Sequence, residues 1–425
     1  MKKTRSQRLR RERAARARIR RRRRRAAAGL PSAIQALTTS ALALPGIAGS
    51  AAADAPPQDY TADYSYSQYR EDPLSASKLA SGDRDRYEVD MHQVRLAGPL
   101  GDRIRLALDV SHETMSGASP WYVTSDSQTG ELLQVMSGAT IDDARTDALL
   151  KGDYYFDRST IGLGIGTSQE KDYQSYNGVI DGTRDYNEKN TTVSGGLGFS
   201  YDLIEPTQAQ GVLRVDKEDK QSVDLLLGVS QILGHNTTFQ LTGNYQGQFG
   251  YLADPYKQAF IVNEGPVMDD RPDDRHRFAI LARLRRHFQT VNGTFHADYN
   301  YSYDTWSLET HTFDFAWHQS LFDLLRIIPS IRYYSQSQAD FYAPFYQTRR
   351  SDGFASSDYR LSPYGALSYR IRAEGRVQIY DFDIGINAGY ERYESEGDLA
   401  LQKVSRENPG LVSFDLWSVG INGRF

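Results

Sequence analysis

The sequence predicts an all-β protein: an antiparallel up-and-down transmembrane β-barrel of about sixteen strands that follows a cleaved signal peptide. Three observations indicate this fold class. Polar and apolar residues alternate with a period of two over unusually long segments, the last such segment ends in an aromatic residue, and the beginning of the chain has the layout of an export signal. The length of 425 residues would also suit two or three soluble domains, but barrels often exceed the usual domain size.

Residues 1–53 are expected to be a signal or targeting segment that lies outside the fold. Residues 1–25 carry fifteen basic side chains and one acidic side chain, whereas residues 26–53 carry no charge. A basic region, a moderately apolar region at 30–49 and small residues at the exit are typical of a secretory signal. A basic arm that binds nucleic acid is the alternative, but it does not account for the apolar region or the small residues.

The remaining chain, residues 54–425, is expected to form the barrel. The first 53 residues hold 15 of the 50 basic residues and one of the 54 acidic residues, so the remainder has a formal charge of −18. Such an acidic chain argues against nucleic acid as a partner. The absence of cysteine excludes disulfide scaffolds, cysteine zinc sites and iron–sulfur clusters.

The long alternating segments are the main evidence for strands that cross a bilayer. Residues 238–249 read T-F-Q-L-T-G-N-Y-Q-G-Q-F, and the same period occurs in 291–301 and 380–390. A period of two places one set of side chains on each face of a strand. Strands of soluble proteins usually have about 5–6 residues, whereas a tilted strand needs roughly 9–11 residues to cross a bilayer.

The last nine residues read W-S-V-G-I-N-G-R-F and end at Phe425. Apolar or small residues occupy every second position before this aromatic residue, which is typical of the closing strand of a bacterial outer-membrane barrel. We therefore expect an outer-membrane location, contact with lipid and lipopolysaccharide, and recognition by the barrel-assembly machinery through this strand. The aromatic residues expected at the membrane interface are Tyr245, Tyr251, Trp306, Trp317, Tyr333, Tyr369, Tyr390 and Trp417.

Fourteen strands are clear, and two weaker ones complete the count. The clear strands are 86–98, 102–113, 142–156, 159–170, 190–203, 221–233, 236–250, 275–287, 291–303, 306–320, 325–340, 358–371, 375–391 and 411–425. The weaker strands are 59–69, which is rich in tyrosine, and 173–187, which is polar. An even number is required if both ends of the barrel lie in the periplasm.

The connections decide between fourteen and sixteen strands. Short periplasmic turns are predicted at 98–102, 156–159, 233–236, 287–291 and 372–375. Long extracellular loops are predicted near 115–141, 203–220, 251–274, 341–357 and 392–410. With fourteen strands the two ends of the chain disagree about which side is outside, and the two weaker strands remove this conflict. The fourteen-strand alternative would place 115–141 in the periplasm.

Three segments resemble the signatures of one family. They are G-Y-L-A-D-P-Y at 250–256, R-Y-Y-S-Q-S-Q-A-D-F-Y at 332–342 and S-D-Y-R-L-S at 357–362. They look like an uncharacterised family of proteobacterial outer-membrane β-barrel proteins, a domain-of-unknown-function family, and the resemblance covers roughly residues 58–425. It implies a location and an architecture but no reaction.

A second resemblance concerns a motif that occurs twice between residues 115 and 140, Met-Ser-Gly-Ala followed by Ser or Thr. It resembles the acceptor of periplasmic flavin transferases, where an acid, two residues, Ser/Thr-Gly-Ala and a final Ser/Thr receive FMN through a phosphoester. The resemblance implies Ser119 and Thr140 as attachment hydroxyls and a periplasmic flavin transferase as a partner. The acid position departs from the pattern, with Glu113 in one copy and Gln134 in the other. Small-residue loop segments are common in barrels, so covalent FMN is the alternative and no cofactor is the first expectation.

About sixteen strands enclose more volume than their own side chains fill, which predicts an aqueous lumen. The leading hypothesis is therefore an outer-membrane channel or passive transporter, and the alternative is a barrel scaffold for extracytoplasmic electron transfer that carries covalent FMN. The motifs of serine hydrolases, zinc proteases and phosphate-binding loops do not occur, so we predict no enzymatic activity and no metal site. The residues predicted to line the lumen are Arg103, Arg105, Asp109, Arg283, Arg285, Asp298, Asp381 and Asp383.

Overall fold

The computed structural model describes residues 56–138, 141–208, 214–322, 324–380 and 382–425. In chain order, the strands of these residues are β1 (Thr61–Glu71), β2 (Leu79–Ser81), β3 (Glu88–Pro99), β4 (Ile104–Gly117), β5 (Pro120–Ser125), β6 (Leu132–Met136), β7 (Ile141–Phe156), β8 (Ser159–Gln169), β9 (Tyr173–Tyr186), β10 (Thr191–Ile204), β11 (Glu218–Gly234), β12 (Thr237–Gly250), β13 (Gln258–Ile261), β14 (Gly265–Met268), β15 (Asp274–Phe288), β16 (Gly293–Asp304), β17 (Glu309–Leu321), β18 (Leu325–Gln336), β19 (Tyr364–Ile379), β20 (Phe382–Glu396) and β21 (Phe414–Arg424).

Helical structure in the same residues consists of one-turn 3-10 helices at Ala76–Lys78, Gln289–Val291, Tyr359–Leu361 and Gly397–Leu399. None of the described helices is long and apolar enough to cross a membrane.

Sixteen strands close into one antiparallel barrel in the order β1, β3, β4, β7 to β12, β15 to β21 and back to β1. Closure pairs the first strand with the last, with Thr61 opposite Arg424. Backbone hydrogen bonds of 2.9 and 3.0 Å join Tyr60 to Phe425, and their rings stack with centroids 6.1 Å apart. A closed ladder has no edge strand, so the backbone groups of the wall are paired within the wall.

Side chains along the wall alternate between two environments. In β11, Leu225, Leu227 and Val229 point outward, and Leu227 is 60% exposed. Their neighbours Ser222 and Asp224 point into the lumen. A continuous apolar exterior of this kind is stable against lipid and unstable against water. The protein is therefore a β-barrel of a Gram-negative outer membrane, which confirms the predicted fold class and location.

The two ends of the barrel differ in the length of their connections. Both the start of β1 and the end of β21 lie at the end where the connections after β3, β7, β9, β11, β15, β17 and β19 are short. The long connections lie at the opposite end. In bacterial outer-membrane barrels the short turns face the periplasm and the long loops face outside, so the long connections of this barrel are extracellular.

Both weak strands of the sequence analysis exist. The tyrosine-rich segment is β1, and the polar segment is β9, which pairs with β8 and β10 along its length. Sixteen strands are therefore confirmed, and the fourteen-strand alternative is wrong. The predicted loop at 115–141 lies on the extracellular side and contains β5 and β6.

One predicted turn is wrong. Residues 372–375 lie in the middle of β19, where Arg372 is opposite Gly389 and Gly375 is opposite Ile386. The turn follows Ile379, where Tyr380 has a left-handed backbone with φ of 54°. Arg372, which looks like a turn residue, instead faces the lumen from a longer strand. Gly375 is a small residue on the outer face of the same strand.

The extracellular connections fold together into a compact layer, which we call the cap and define as residues 72–87, 118–138, 251–273, 337–363 and 397–413. It contains a three-stranded sheet of β2, β6 and β5 and a hairpin of β13 and β14. The cap has its own buried apolar clusters, and one of them joins the turn before β17 to segment 337–363. The members of this cluster are Trp306, Leu308, Ala339, Phe341, Tyr342 and Leu361.

Trp306 does not anchor the barrel at the membrane interface as the sequence suggested. Its side chain is 3% exposed and lies edge-on to Phe341 at 5.2 Å between centroids. Its indole Nε1 donates to the carbonyl of Asp274 at 2.9 Å. The strand predicted to begin at 306 begins at Glu309, so Trp306 lies in the turn before this strand. From there its ring packs into the base of the cap.

Two adjacent leucines of β11 test the orientation of the wall. We expect Leu227→Arg to destabilise the barrel by about 2–4 kcal/mol, because it places a charge against lipid near the middle of a strand. Leu226→Arg should cost much less, since this residue is on the lumen face opposite Asn244. Urea-dependent folding into lipid vesicles measures both, and equal losses would contradict the assigned faces.

Candidate functional site: the lumen and its cap

The lumen wall is divided into two halves of unlike charge. The alternation along the strands places these charged residues inside on β1, β3, β4 and β7 to β11: Glu71, Asp63, Asp109, Glu113, Asp143, Asp147, Asp153, Asp181, Asp185, Asp202, Glu218 and Asp224, with Arg95, Arg105, Arg145, Lys151 and Lys220. On β15 to β21 the inward charged residues are Arg275, Arg277, Arg283, Arg285, Arg326, Arg332, Arg370, Arg372, Arg376 and Arg424, with Asp298, Asp304, Asp314, Glu374, Asp383 and Glu391. Carboxylates predominate on one half and guanidinium groups on the other.

Ion pairs hold many of these side chains against the basic half of the wall. Asp298 contacts Arg283 at 3.4 Å and also pairs with Arg285. Asp314 lies 2.9 Å from Arg332 and pairs with Arg370 on the next strand but one. Each carboxylate is thus shared by two arginines, which leaves this half with an excess of positive charge.

On the acidic half, one basic side chain is shared by two carboxylates. Lys151 lies 3.3 Å from Asp153 and 2.7 Å from Asp181. The intervening strand has Gly162 at this level, where an added Cβ would lie 2.7 Å from the Lys151 side chain. The glycine therefore provides the space in which Lys151 reaches Asp181 across β8 while it also contacts Asp153 of its own strand.

The two halves enclose a cavity of about 1220 Å³. Both signs of charge line each side, with acids in excess on one side and arginines in excess on the other. The charged lining of the acidic side is Asp63, Asp109, Asp147, Asp202 and Asp224, with Arg95, Arg145 and Lys220, and that of the basic side is Arg275, Arg277 and Arg372, with Asp304. The cap supplies its extracellular boundary through Arg271, Arg360 and Leu361, together with Leu308 of the turn before β17. The lumen is therefore a polar chamber roofed by the folded loops.

Six of the eight lumen residues named from the sequence project from the inner face, as expected from the strand period: Arg105, Asp109, Arg283, Arg285, Asp298 and Asp383. Asp109 is the one among them that lines the large cavity and pairs with Arg95 at 3.1 Å. Arg103 lies in the periplasmic turn before β4, with a side chain 52% exposed and 3.8 Å from Asp157. Asp381 lies outside the described residues.

The centre of the cap is a buried charge network around Asp358, which is 3% exposed. Arg271 donates to it at 2.8 Å, and Arg360 pairs with it while also reaching Asp254 at 2.6 Å. Burial alone would raise the pKa of Asp358, but Arg360, Arg271 and Lys257 hold that pKa well below its usual range. The carboxylate therefore stays charged inside the cap.

Lys257 joins two segments of the cap. Its Nζ donates to the carbonyl of Pro120 at 2.6 Å, so segment 251–273 is fixed to segment 118–138. Burial lowers the pKa of Lys257 to about 8, and Asp358 opposes this shift. The positive charge of this buried lysine is tolerated only because carboxylates surround it.

Further hydrogen bonds attach the cap to the barrel rim. Arg86 and Glu71 form an ion pair of 2.6 Å in which both side chains are 2% exposed, and Arg86 also donates to the carbonyl of Gly410 at 3.1 Å. Asn408 is fully buried and donates to the Tyr342 hydroxyl at 2.9 Å. The cap is therefore fixed to the rim of the barrel, and its segments are fixed to one another.

The two flavin-acceptor-like motifs pair with each other. The Ser119 amide donates to Ser137 Oγ at 2.9 Å, and the Ser137 amide donates to the Ser119 carbonyl at 2.8 Å. Gly117 has φ of +119°, and a Cβ there would lie 2.1 Å from the Arg86 carbonyl. Ser119 is 2% exposed, so flavin attachment would require this segment before it folds. Thr140 lies outside the described residues, and covalent FMN stays a prediction.

The sequence analysis missed the residues that build the cap. Asp358, Arg360, Arg271 and Lys257 come from two loops that are about ninety residues apart in the chain, and neither loop has a periodic pattern. Two signature segments point to this site, 357–362, which contains Asp358 and Arg360, and 250–256, which contains Asp254. No signal in the sequence points to a group of buried carboxylates at the rim, Asp143, Glu170 and Asp172.

Removing the central carboxylate should open the cap without unfolding the wall. In Asp358→Ala, Arg271, Arg360 and Lys257 lose their shared counter-charge, and we expect a loss of about 3–5 kcal/mol. Limited proteolysis should then cleave the cap loops, while the heat-modifiable mobility of the barrel in electrophoresis stays unchanged. Asp352→Ala is the matched control, because Asp352 pairs with Arg350 on the exposed surface of the same loop. Equal protease resistance of all three proteins would contradict this role of Asp358.

Among solved structures, the chain is similar to a bacterial polysaccharide outer membrane secretin, with a TM-score of 0.44, 10% identity, and coverage of 86% of this chain and 97% of that chain. It is also similar to CdiB from Acinetobacter baumannii, with a TM-score of 0.45, 8% identity, and coverage of 86% and 60%. For OccK3 (OpdO) of Pseudomonas aeruginosa the TM-score is 0.39, with 10% identity and coverage of 86% and 95%. These likenesses are too distant to carry a functional inference.

No curated protein matches the chain by sequence. One family model does match, over residues 34–410, and its description is "Protein of unknown function (DUF3570)". This match spans most of the chain, including the three signature segments and fifteen of the sixteen barrel strands. It confirms the resemblance, and the chain belongs to the DUF3570 family.

Proposed function

We propose that the protein is a passive outer-membrane channel for small polar solutes, closed on the extracellular side by its cap. The observation that carries this proposal is the cavity of about 1220 Å³ between an acidic and a basic half of the wall. A chamber of this size exceeds what packing requires, and it is larger than the roughly 300–1,000 Å³ of typical ligand pockets. Its polar and charged lining can form hydrogen bonds with hydrated solutes.

The division of charge favours solutes with a dipole over simple ions. Asp109 and Asp147 face the chamber from β4 and β7, and Arg277 and Arg372 face it from β15 and β19. Charges of opposite sign on facing walls produce a field across the lumen, and a low-dielectric wall strengthens such fields. Zwitterionic or hydroxyl-rich molecules can align in this field, whereas an ion of either sign meets one repulsive wall.

The cap supports gated transport. Its buried ion pairs, such as Arg271 with Asp358, are favourable only when all partners are in place. Loss of one partner therefore releases a whole segment instead of a single side chain. A roof of this kind separates a closed state from an open state, as a channel with controlled access requires.

Single-channel recording in planar bilayers tests the proposal. We expect the wild type to conduct in rare or small openings, and Asp358→Ala to conduct several-fold more often, because its cap is released. Asp352→Ala should behave as the wild type. A folded barrel that stays silent both as wild type and as Asp358→Ala, with proteolysis showing an open cap, would exclude a channel.

Charge in the chamber should set ion preference. Arg277→Gln removes a positive charge that lines the cavity and lies 4.0 Å from Asp304. We expect the cation-to-anion permeability ratio to rise by about twofold, since the acidic wall then dominates the field. Arg286→Gln is the control, because Arg286 is on the outer face, where it lies over the Phe288 ring. Reversal potentials in a salt gradient measure the ratio, and identical shifts in both variants would contradict the role of the lumen charge.

A further inference from the structure

Three acidic side chains meet at the extracellular rim of the acidic half. Asp143 lies near the start of β7, and Glu170 and Asp172 lie in the three-residue connection between β8 and β9. One carboxylate oxygen from each residue lies within 4.8 Å of the other two. Their exposed fractions are 7, 9 and 4%, respectively. Three negative groups are thus collected in a place that water barely reaches.

Two oxygens of this group lack a hydrogen bond within the described residues. Glu170 Oε1 and Asp172 Oδ1 are buried and accept none. Glu170 Oε1 lies 3.7 Å from Arg145 Nε, which is beyond hydrogen-bond distance. The other oxygen of Asp172 accepts a hydrogen bond from the Tyr256 hydroxyl. A buried carboxylate oxygen without a donor is costly, so each of these oxygens is stabilised either by a proton or by a positive ligand. Burial raises the pKa of Glu170 to about 8, which a bound cation would reverse.

The basic groups around the cluster supply only part of the positive charge that would balance it. Arg145 is shared with Asp147, whose carboxylate is 2.9 Å away. Lys171 is exposed to solvent, and Arg214 lies over the Tyr256 ring at 4.5 Å. The acidic side chains near Arg145 outnumber these cations and comprise Glu113, Asp143, Asp147, Glu170 and Asp172.

We propose that Asp143, Glu170 and Asp172 form a divalent cation site and that its natural occupant is Ca²⁺. Calcium binds oxygen ligands at about 2.3–2.6 Å, so two ligands of one ion can be up to about 5 Å apart. The separation within 4.8 Å satisfies this geometry. The donor set contains only carboxylate oxygens, which suits Ca²⁺ better than Zn²⁺, a metal that prefers nitrogen and sulfur ligands.

The site connects the wall to the cap. Asp172 is bonded to Tyr256 of cap segment 251–273, and the Tyr256 hydroxyl accepts from the Thr207 amide at 3.0 Å. A cation that fixes Asp172 therefore also fixes Tyr256 and the connection that precedes β11. Calcium binding should strengthen the docking of the cap on this side, whether or not the barrel conducts.

Terbium luminescence provides a direct test. The protein is refolded from denaturant into detergent without lipopolysaccharide and titrated with Tb³⁺, a luminescent substitute for Ca²⁺. Excitation of tyrosine, with Tyr173 and Tyr256 beside the site, should give a saturable emission that excess Ca²⁺ removes. Limited proteolysis of the cap should slow by several-fold in Ca²⁺ compared with a chelator.

Matched variants identify the ligands. Glu170→Gln and Asp172→Asn should each weaken Tb³⁺ binding by about tenfold or more, because each removes one of three charged ligands. Glu131→Gln, an exposed acid of the cap, should bind as the wild type. Wild-type protein without saturable emission, or emission retained in both ligand variants, would overturn the proposal. If a ligand variant fails to fold, the wild-type titration with Ca²⁺ and chelator decides the question alone.

Discussion

The closed ladder of backbone hydrogen bonds is the constraint on which the rest of the structure depends. In lipid, an unpaired peptide group is too costly to persist, so a chain that crosses with strands must close on itself. Here closure is made by β1 and β21 and is extended by the bonds between Tyr60 and Phe425. Once the cylinder is closed, every strand has one face against lipid and one against the lumen, and the period of two in the sequence is the direct consequence.

This division of faces leaves the interior free to carry charge. Apolar side chains on the outside supply the contact with lipid, so inward positions are not required to build a hydrophobic core. The chain places carboxylates on one half and arginines on the other, with pairs such as Lys151 with Asp181 and Arg332 with Asp314 along the wall. Such pairs brace neighbouring strands, and the excess charge of each half remains to act on what enters the chamber.

The wall could be predicted from the sequence because its rule is local. Alternation predicts fourteen of the sixteen strands, and the requirement that the connections agree on the two sides of the membrane adds β1 and the polar β9. The rule fails at 372–375, where Arg372 and Gly375 look like a turn but continue a strand. The cap could not be predicted in this way. Asp358 is held by Arg271, which lies 87 residues earlier, and only the tertiary fold brings them together. Trp306 shows the same limit: an aromatic residue at a strand end suits either the membrane interface or a buried cap, and packing against Phe341 decides.

The composition of the cap determines how it would be released in the proposed gated channel. An apolar plug loses stability gradually as contacts are lost, because its stabilisation is roughly proportional to buried area. A buried ionic network behaves differently, since each ion is tolerated only while its partners remain. Asp358, Arg360 and Lys257 therefore depend on one another for their stability. With the proposed cation bound, Glu170 and Asp172 would extend the same dependence to the rim. In the proposed gated channel, a layer held by mutually dependent charges would open as a unit, under conditions that change its charge or its bound cations.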